Sequence, residues 1–315
     1  MSSRDEITRR GFLGTFGAGI AVSNLAPLTV QAQAPSSSRS TGTVEKDVVY
    51  AKGGQTELHC DIYKPSTPSE KRMAIIHFHG GGFGGGSKDN LAERLTPLTA
   101  RGYVSIAAQY RLSGVAKWPA QMEDVKASIR WTRANAGKLG IDPKRIAVAG
   151  YSAGGHLALF AASTANRSEF EGDGGNRGVG TEVAACLAFY AVTGPAWNGW
   201  KRAFPLPADS SEEAFHAAEP ANYIKSFPPT VLFHGLTDVT VPPESSQQFL
   251  QFLRDANVPA ELHTFAGVPH EFVQHPEFAL ATAQITDLFF DRYVINPRTY
   301  PPFGAGRGGA RGGRG

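Results

Sequence analysis

The chain is poor in sulfur and modest in charge: 315 residues contain two cysteines and three methionines, and 19% are charged. Two cysteines exclude a disulfide-stapled small domain and a multi-cysteine zinc module. Long apolar runs are scarce too. Beyond the N-terminal stretch, nothing reaches the roughly 20 residues a membrane-spanning helix needs. The formal net charge is +3 and its excess sits at the ends, in Arg9 and Arg10 and in Arg307, Arg311 and Arg314. The near-neutral body between them lacks the basic footprint of a nucleic-acid binder, so nucleic acid is not an expected partner. What the chain has is 41% hydrophobic residues, 36 glycines and 21 prolines. That mixture excludes a coiled coil or a wholly disordered protein and suits a packed core joined by many turns.

The N-terminus reads Thr8-Arg9-Arg10-Gly11-Phe12-Leu13, runs uncharged to Val30 and closes on Gln31-Ala32-Gln33-Ala34-Pro35. It resembles a twin-arginine export signal, with small residues at Ala32 and Ala34 for a signal peptidase. The expected organisation is a signal over 1–34, one α/β domain over 35–303 and a Gly/Arg-rich tail over 304–315. The tail, GAGRGGARGGRG, has nothing to bury and is expected to be disordered. A processed protein of this kind is expected to be periplasmic or secreted, without stable membrane insertion.

Between the ends, short β-branched runs alternate with amphipathic stretches, the pattern of a mostly parallel sheet wrapped by helices. Eight strands are expected, near 44–50, 56–63, 73–79, 103–109, 145–150, 183–190, 230–234 and 260–265. Helices are expected near 90–100, 119–137, 153–165, 243–256 and 277–293. In the second helix Met122, Val125, Ile129 and Thr132 form one buried stripe behind Pro119. Cys60 and Cys186 fall on separate strands and are not expected to pair.

Four polar motifs follow the ends of strands. Gly150-Tyr151-Ser152-Ala153-Gly154 links an apolar strand to a helix, the setting of a serine nucleophile on a sharp turn. His79-Gly80-Gly81-Gly82-Phe83 follows another strand, and its exposed amides, with that of Ala153, suit a developing oxyanion. Asp238 stands in His234-Gly235-Leu236-Thr237-Asp238, and His270 in Pro269-His270-Glu271-Phe272. A serine needs a base at neutral pH, imidazole can serve, and a carboxylate can fix its tautomer. Ser, Asp, His is the α/β-hydrolase order along the chain. His77 and His79, on one strand face, also suggest a metal pair. No further ligands in suitable spacing accompany them, and no metal is assigned.

From about Val44 to Tyr293 the chain resembles α/β hydrolases of the hormone-sensitive-lipase-like group, most closely secreted bifunctional feruloyl and acetyl xylan esterases. The resemblance rests on H79GGGF, Y110RLS, Trp118-Pro119-Ala120-Gln121 with Glu123-Asp124, G150YSAGGH, E171GDGGN, H234GLTD with Val241-Pro242, and P269HEF. It implies an α/β-hydrolase fold with Ser152 as nucleophile, His270 as base, Asp238 as orienting acid and Gly81, Gly82 and Ala153 as oxyanion hole. It also implies no cofactor, and a small-molecule or carbohydrate ester as the substrate. Two positions depart from the pattern: Glu271 stands where relatives often have Gly, and Ala191-Val192-Thr193-Gly194-Pro195 replaces a G-P-x-D sequence. Beyond the latter, Trp197, Trp200 and Phe204 are candidates for a substrate wall. A formamidase-type amide hydrolase and a non-catalytic binding protein on the same fold are the rival readings. A propeller-gated peptidase would need a domain for which the N-terminal region has no room.

Overall fold

The computed structural model describes residues 42–194, 199–207 and 209–300. The expected export signal, the Gly/Arg tail and Trp197 lie outside them. The eight expected strands are β1 (Val44–Gly53), β2 (Thr56–Tyr63), β3 (Ala74–Phe78), β4 (Val104–Ala108), β5 (Ile146–Tyr151), β6 (Ala185–Phe189), β7 (Thr230–Gly235) and β8 (Ala260–Phe265). They form one sheet in the order β1-β2-β4-β3-β5-β6-β7-β8. β1, β2 and β4 pair antiparallel, and every pairing from β4 through β8 is parallel. With helices covering its faces, this is the α/β-hydrolase fold.

The central strands read as unbroken apolar runs because both faces are covered. Successive side chains point to opposite faces, so Ile76, Val148 and Cys186 enter one core while Ile75, Ala147 and Leu187 enter the other. The first core is closed by the helices Ala120–Ala134 and Ala153–Ser163, and the second by Ala92–Thr99 and Pro276–Phe290. The stripe of Met122, Val125, Ile129 and Thr132 is fully buried, as its spacing requires. Cys60 on β2 and Cys186 on β6 are separated by three intervening strands, far beyond disulfide reach.

From β3 the chain passes first to β4 on one side and then to β5 on the other. This reversal opens a crevice at the C-terminal ends of the strands, where ligands bind in open α/β sheets. His79, Ser152, Asp238 and His270 all follow the C-terminal ends of parallel strands, so the topology alone brings their loops to one edge.

Three details differ from expectation. β3 stops at Phe78, so His79 begins the following loop and does not share a strand face with His77. The segment between β6 and β7 contains a short helix, Glu212–Ala217, capped by Ser211, and a 3-10 stretch, Pro220–Ser226. The last helix runs on into a π turn, Asp291–Ile295.

Candidate active site

Ser152 occupies the turn between β5 and the helix Ala153–Ser163, at φ 55° and ψ −116°. A β-carbon on a residue with positive φ is strained, and here neighbouring glycines permit it. A Cβ on Gly150 would meet Gly154 O at 1.9 Å, and one on Gly154 would meet Phe78 O at 2.1 Å. The helix therefore starts hard against β3 and β5. Ser152 N–H donates to Phe189 O at 2.9 Å, fixing the turn to β6.

Asp238 is buried on the loop after β7 and takes four donors. Oδ1 accepts from the amides of Thr240 and Val241, both at 2.9 Å. Oδ2 accepts from His270 Nδ1 at 2.6 Å and from His234 Nε2 at 3.2 Å. Burial alone would raise the Asp238 pKa; the hydrogen bonds from His234, His270 and Val241 overcome it and hold the carboxyl well below its usual range. With Nδ1–H committed to Asp238, the neutral His270 ring carries its lone pair on Nε2. The edge of Tyr190 packs on that ring, with centroids 4.6 Å apart, from a backbone at φ 39°.

His234 is a site residue that motif reading passed over, although it stands four positions before Asp238. Its Nε2 faces two acceptors, Asp238 Oδ2 and Val241 O at 3.0 Å, so Nε2 carries the proton. Nδ1 then accepts from the Ser246 hydroxyl at 2.7 Å. The buried ring locks the acid from behind.

The loop after β3 turns through Gly81 at φ 115° and Gly82 at φ 59°. Gly84 and Gly85 amides both donate to Gly81 O, closing the loop on itself. Among the described residues, the Gly81 and Gly82 amides have no carbonyl partner. The Ala153 amide belongs to a first helical turn, where amides lack intrahelical acceptors. His79 anchors the loop: Nδ1 donates to Gly80 O at 2.7 Å, its carbonyl accepts from Tyr110 Oη at 2.9 Å, and its ring stacks on Tyr110. His77 turns instead to Tyr151 Oη, 3.3 Å away. The two imidazoles thus serve separate neighbours, and no cluster of metal-ligating side chains occurs among the described residues.

Residues 60–253, more than half of the chain, match the BD-FAE family model. The chain belongs to the BD-FAE family, an α/β-hydrolase esterase family. Among relatives, esterase LipQ of Mycobacterium tuberculosis is 30% identical over 261 residues, 78% of this chain and 60% of that protein. Esterase LipC of the same organism is 31% identical over 204 residues, 59% of this chain and 49% of its own. The chain therefore spans only about half to three-fifths of these relatives. A thermophilic esterase of Thermogutta terrifontis, Est2, superposes with a TM-score of 0.68 at 28% identity, over 84% of this chain and 96% of that one. A truncated carbohydrate esterase from gut microbiota gives a TM-score of 0.65 at 25% identity, over 79% and 99%.

Several motifs of this BD-FAE chain are scaffold. Arg111 binds Asp124 through Nε and its own amide and reaches Glu123, while Gln121 Nε2 donates to Arg111 O and Ala116 O. Tyr110-Arg111 and the Trp118–Asp124 segment are one clamp behind the His79 loop. Arg130 likewise gathers the carbonyls of Glu171, Gly174 and Gly175. Glu271, at φ 59° and ψ 19°, occupies the left-handed region that glycine tolerates best. Phe204 corrects the expectation of a substrate wall. It is 3% exposed and packs against Phe83, Trp118 and His156 at centroid distances of 5.3, 4.9 and 5.2 Å. The apolar burial of the ring makes it core, not an exposed stacking face. Trp200 begins the short helix Trp200–Ala203.

Proposed function

We propose that this chain is a serine-dependent carboxylic ester hydrolase working through an acyl-enzyme. The observation that carries the reading is the 2.6 Å bond from His270 Nδ1 to Asp238 Oδ2, at the sheet edge where Ser152 sits on its positive-φ turn. Ser152 Oγ attacks the ester carbonyl as His270 Nε2 takes its proton, and Asp238 balances the imidazolium. The carbonyl oxygen gains charge and accepts from the amides of Gly81, Gly82 and Ala153, whose fixed positions cost no reorganisation. His270 then protonates the leaving alcohol, and water repeats the sequence to release the acid. No step calls for a cofactor.

For substrate, we propose acetyl or feruloyl esters of carbohydrates and other small esters. The gut carbohydrate esterase of like fold and the sequence motifs support this reading. The paired Arg9-Arg10 before an uncharged stretch supports export. The test is Ser152→Ala assayed on p-nitrophenyl acetate and on acetylated and feruloylated xylan. Loss of a triad nucleophile costs about 10⁶ in kcat, so essentially all turnover should vanish while the circular dichroism spectrum stays unchanged. A variant retaining more than a few per cent of the rate overturns the assignment.

A further inference from the structure

Tyr190, the first residue after β6, is buried under two unfavourable conditions at once. Its backbone has φ 39°, a region that disfavours any residue with a β-carbon and a bulky one most. Its hydroxyl is buried without a hydrogen-bond partner, although buried polar atoms are ordinarily paired. Backbone strain of this kind persists only where the surroundings over-determine it, and it gathers at functional sites.

The strain has a visible result. Along β6, Ala185, Leu187 and Phe189 enter one core while Cys186 and Ala188 enter the other. Strict alternation would send the next side chain after Cys186 and Ala188. Tyr190 instead joins Phe189, on the side where Phe272 lies. Its ring meets His270 and Phe272 in edge-to-face arrangements, with centroids 4.6 and 5.7 Å away. The corner is pinned from both flanks: the Tyr190 amide donates to Phe233 O at 2.7 Å, and Phe189 O accepts from the Ser152 amide at 2.9 Å. The Phe189 ring is stacked between Tyr151 and Phe233, each 4.7 Å away. This dipeptide thus joins the turn of Ser152 to the strand that leads into His234 and Asp238.

His270 needs a second contact. Its bond from Nδ1 to Asp238 Oδ2 fixes one ring atom and leaves the imidazole plane free to tilt about that bond. The side chain keeps 14% of its surface exposed, and Tyr190 closes it from the protein side. A tilt displaces Nε2 from the line of proton transfer, and a misplacement of about 1 Å can cost about 100-fold in rate. Burial holds the Tyr190 phenol far above its usual pKa, so it stays uncharged and exchanges no proton in the reaction. The ring, and not the hydroxyl, is the working part.

Building on the esterase reading above, we infer that Tyr190 is a positioning residue for the general base. Its ring holds the His270 imidazole in the plane from which Nε2 serves Ser152, and the left-handed backbone at position 190 delivers the ring to that side of the sheet.

The experiment compares Tyr190→Leu, which removes the ring, with Tyr190→Phe, which removes the hydroxyl alone, each shown to be folded by circular dichroism. On p-nitrophenyl acetate the leucine variant should lose roughly 100-fold in kcat with KM within about three-fold of the parent, and phenylalanine should restore kcat to within about three-fold. Proton NMR reads the orientation without turnover. The Nδ1–H that His270 donates to Asp238 should give a far-downfield resonance in the parent and in Tyr190→Phe, and this resonance should broaden or vanish in Tyr190→Leu. Tyr190→Met, whose flexible chain fills the same space, replaces the leucine variant if that one does not fold. A leucine variant with the parent's kcat, or with an unchanged downfield resonance, overturns the proposal. So does a loss confined to KM, which would make Tyr190 a substrate contact, or a phenylalanine variant as slow as leucine, which would move the role to the hydroxyl. A parent that turns over no ester strikes at the esterase reading alone, and the NMR comparison then still decides whether Tyr190 orients His270.

Discussion

His234 and His270 share one oxygen of Asp238: Nε2 of the first lies 3.2 Å, and Nδ1 of the second 2.6 Å, from Oδ2. The carboxylate is thereby committed to its charged form in a buried place, and its depressed pKa is stability as well as chemistry. The unfolded chain holds this proton up to about pH 3.9, the folded chain only at much lower pH. The stabilisation is therefore full above about pH 4 and fades as pH falls through the folded value. Asp238→Asn should lower kcat by about 10⁴ and leave a protein less stable than the parent at pH 7. The stability gap should narrow toward pH 3, as read by urea midpoints. An Asn variant as active as the parent would transfer the role to another acid.

Three buried histidines add a second pH dependence. Burial pushes His77 down to about 3, His79 to about 4 and His156 to about 3. Below about pH 6.5 the unfolded chain takes up protons that the folded chain refuses. Each ring contributes a slope of about 1.4 kcal/mol per pH unit down to its folded value, with stability rising as pH rises. Urea midpoints should fall steeply between pH 6.5 and 4.5, and His77→Gln should flatten that fall by about one proton. A midpoint constant over this range would contradict the burial of these rings.

The glycines of the turn separate into costly and free positions. In Gly154→Ala the new methyl meets Phe78 O and His79 O at 2.1 and 2.5 Å, both backbone. The helix must move off β3, at a cost of about 3 kcal/mol, the upper end for overpacking. A Cβ on Gly137 meets nothing within 4 Å, so Gly137→Ala should stabilise by about 0.4–1 kcal/mol through the unfolded chain. Melting temperatures of the two variants should move in opposite directions, and a shared direction would refute the packing described.

Phe204→Ala should behave as a core deletion. The loss expected is about 3–5 kcal/mol, with turnover of p-nitrophenyl acetate and of a feruloyl ester falling together. A selective rise in KM for the feruloyl ester at unchanged melting temperature would instead make the ring a substrate contact.

Strand positions, the fold and the four loops at the sheet edge were legible because burial on both faces makes the central strands short, continuous apolar runs and the glycine turns have few conformations. The pairing of His270 with Asp238 followed from chain order. His234 was visible in its motif, but its role depends on Ser246 and Val241 closing around it, and only tertiary structure supplies that. Arg94 was invisible: charge on an amphipathic helix predicts solvent, and here the helix turns it inward onto Tyr151. Phe204 was misjudged because a loop aromatic between Pro and Gly carries no periodicity to tell core from surface. The short helix Glu212–Ala217 was missed for the same want of a repeating pattern.

The central claim is that Ser152 is the nucleophile, and covalent labelling reads it most directly. Paraoxon phosphorylates the related esterase of Thermogutta terrifontis. Incubated with the parent protein, it should leave one diethylphosphoryl group on the peptide holding Gly150-Tyr151-Ser152 as activity disappears, and none on Ser152→Ala. A label on a different residue, or full esterase activity surviving saturation with the reagent, would contradict the account.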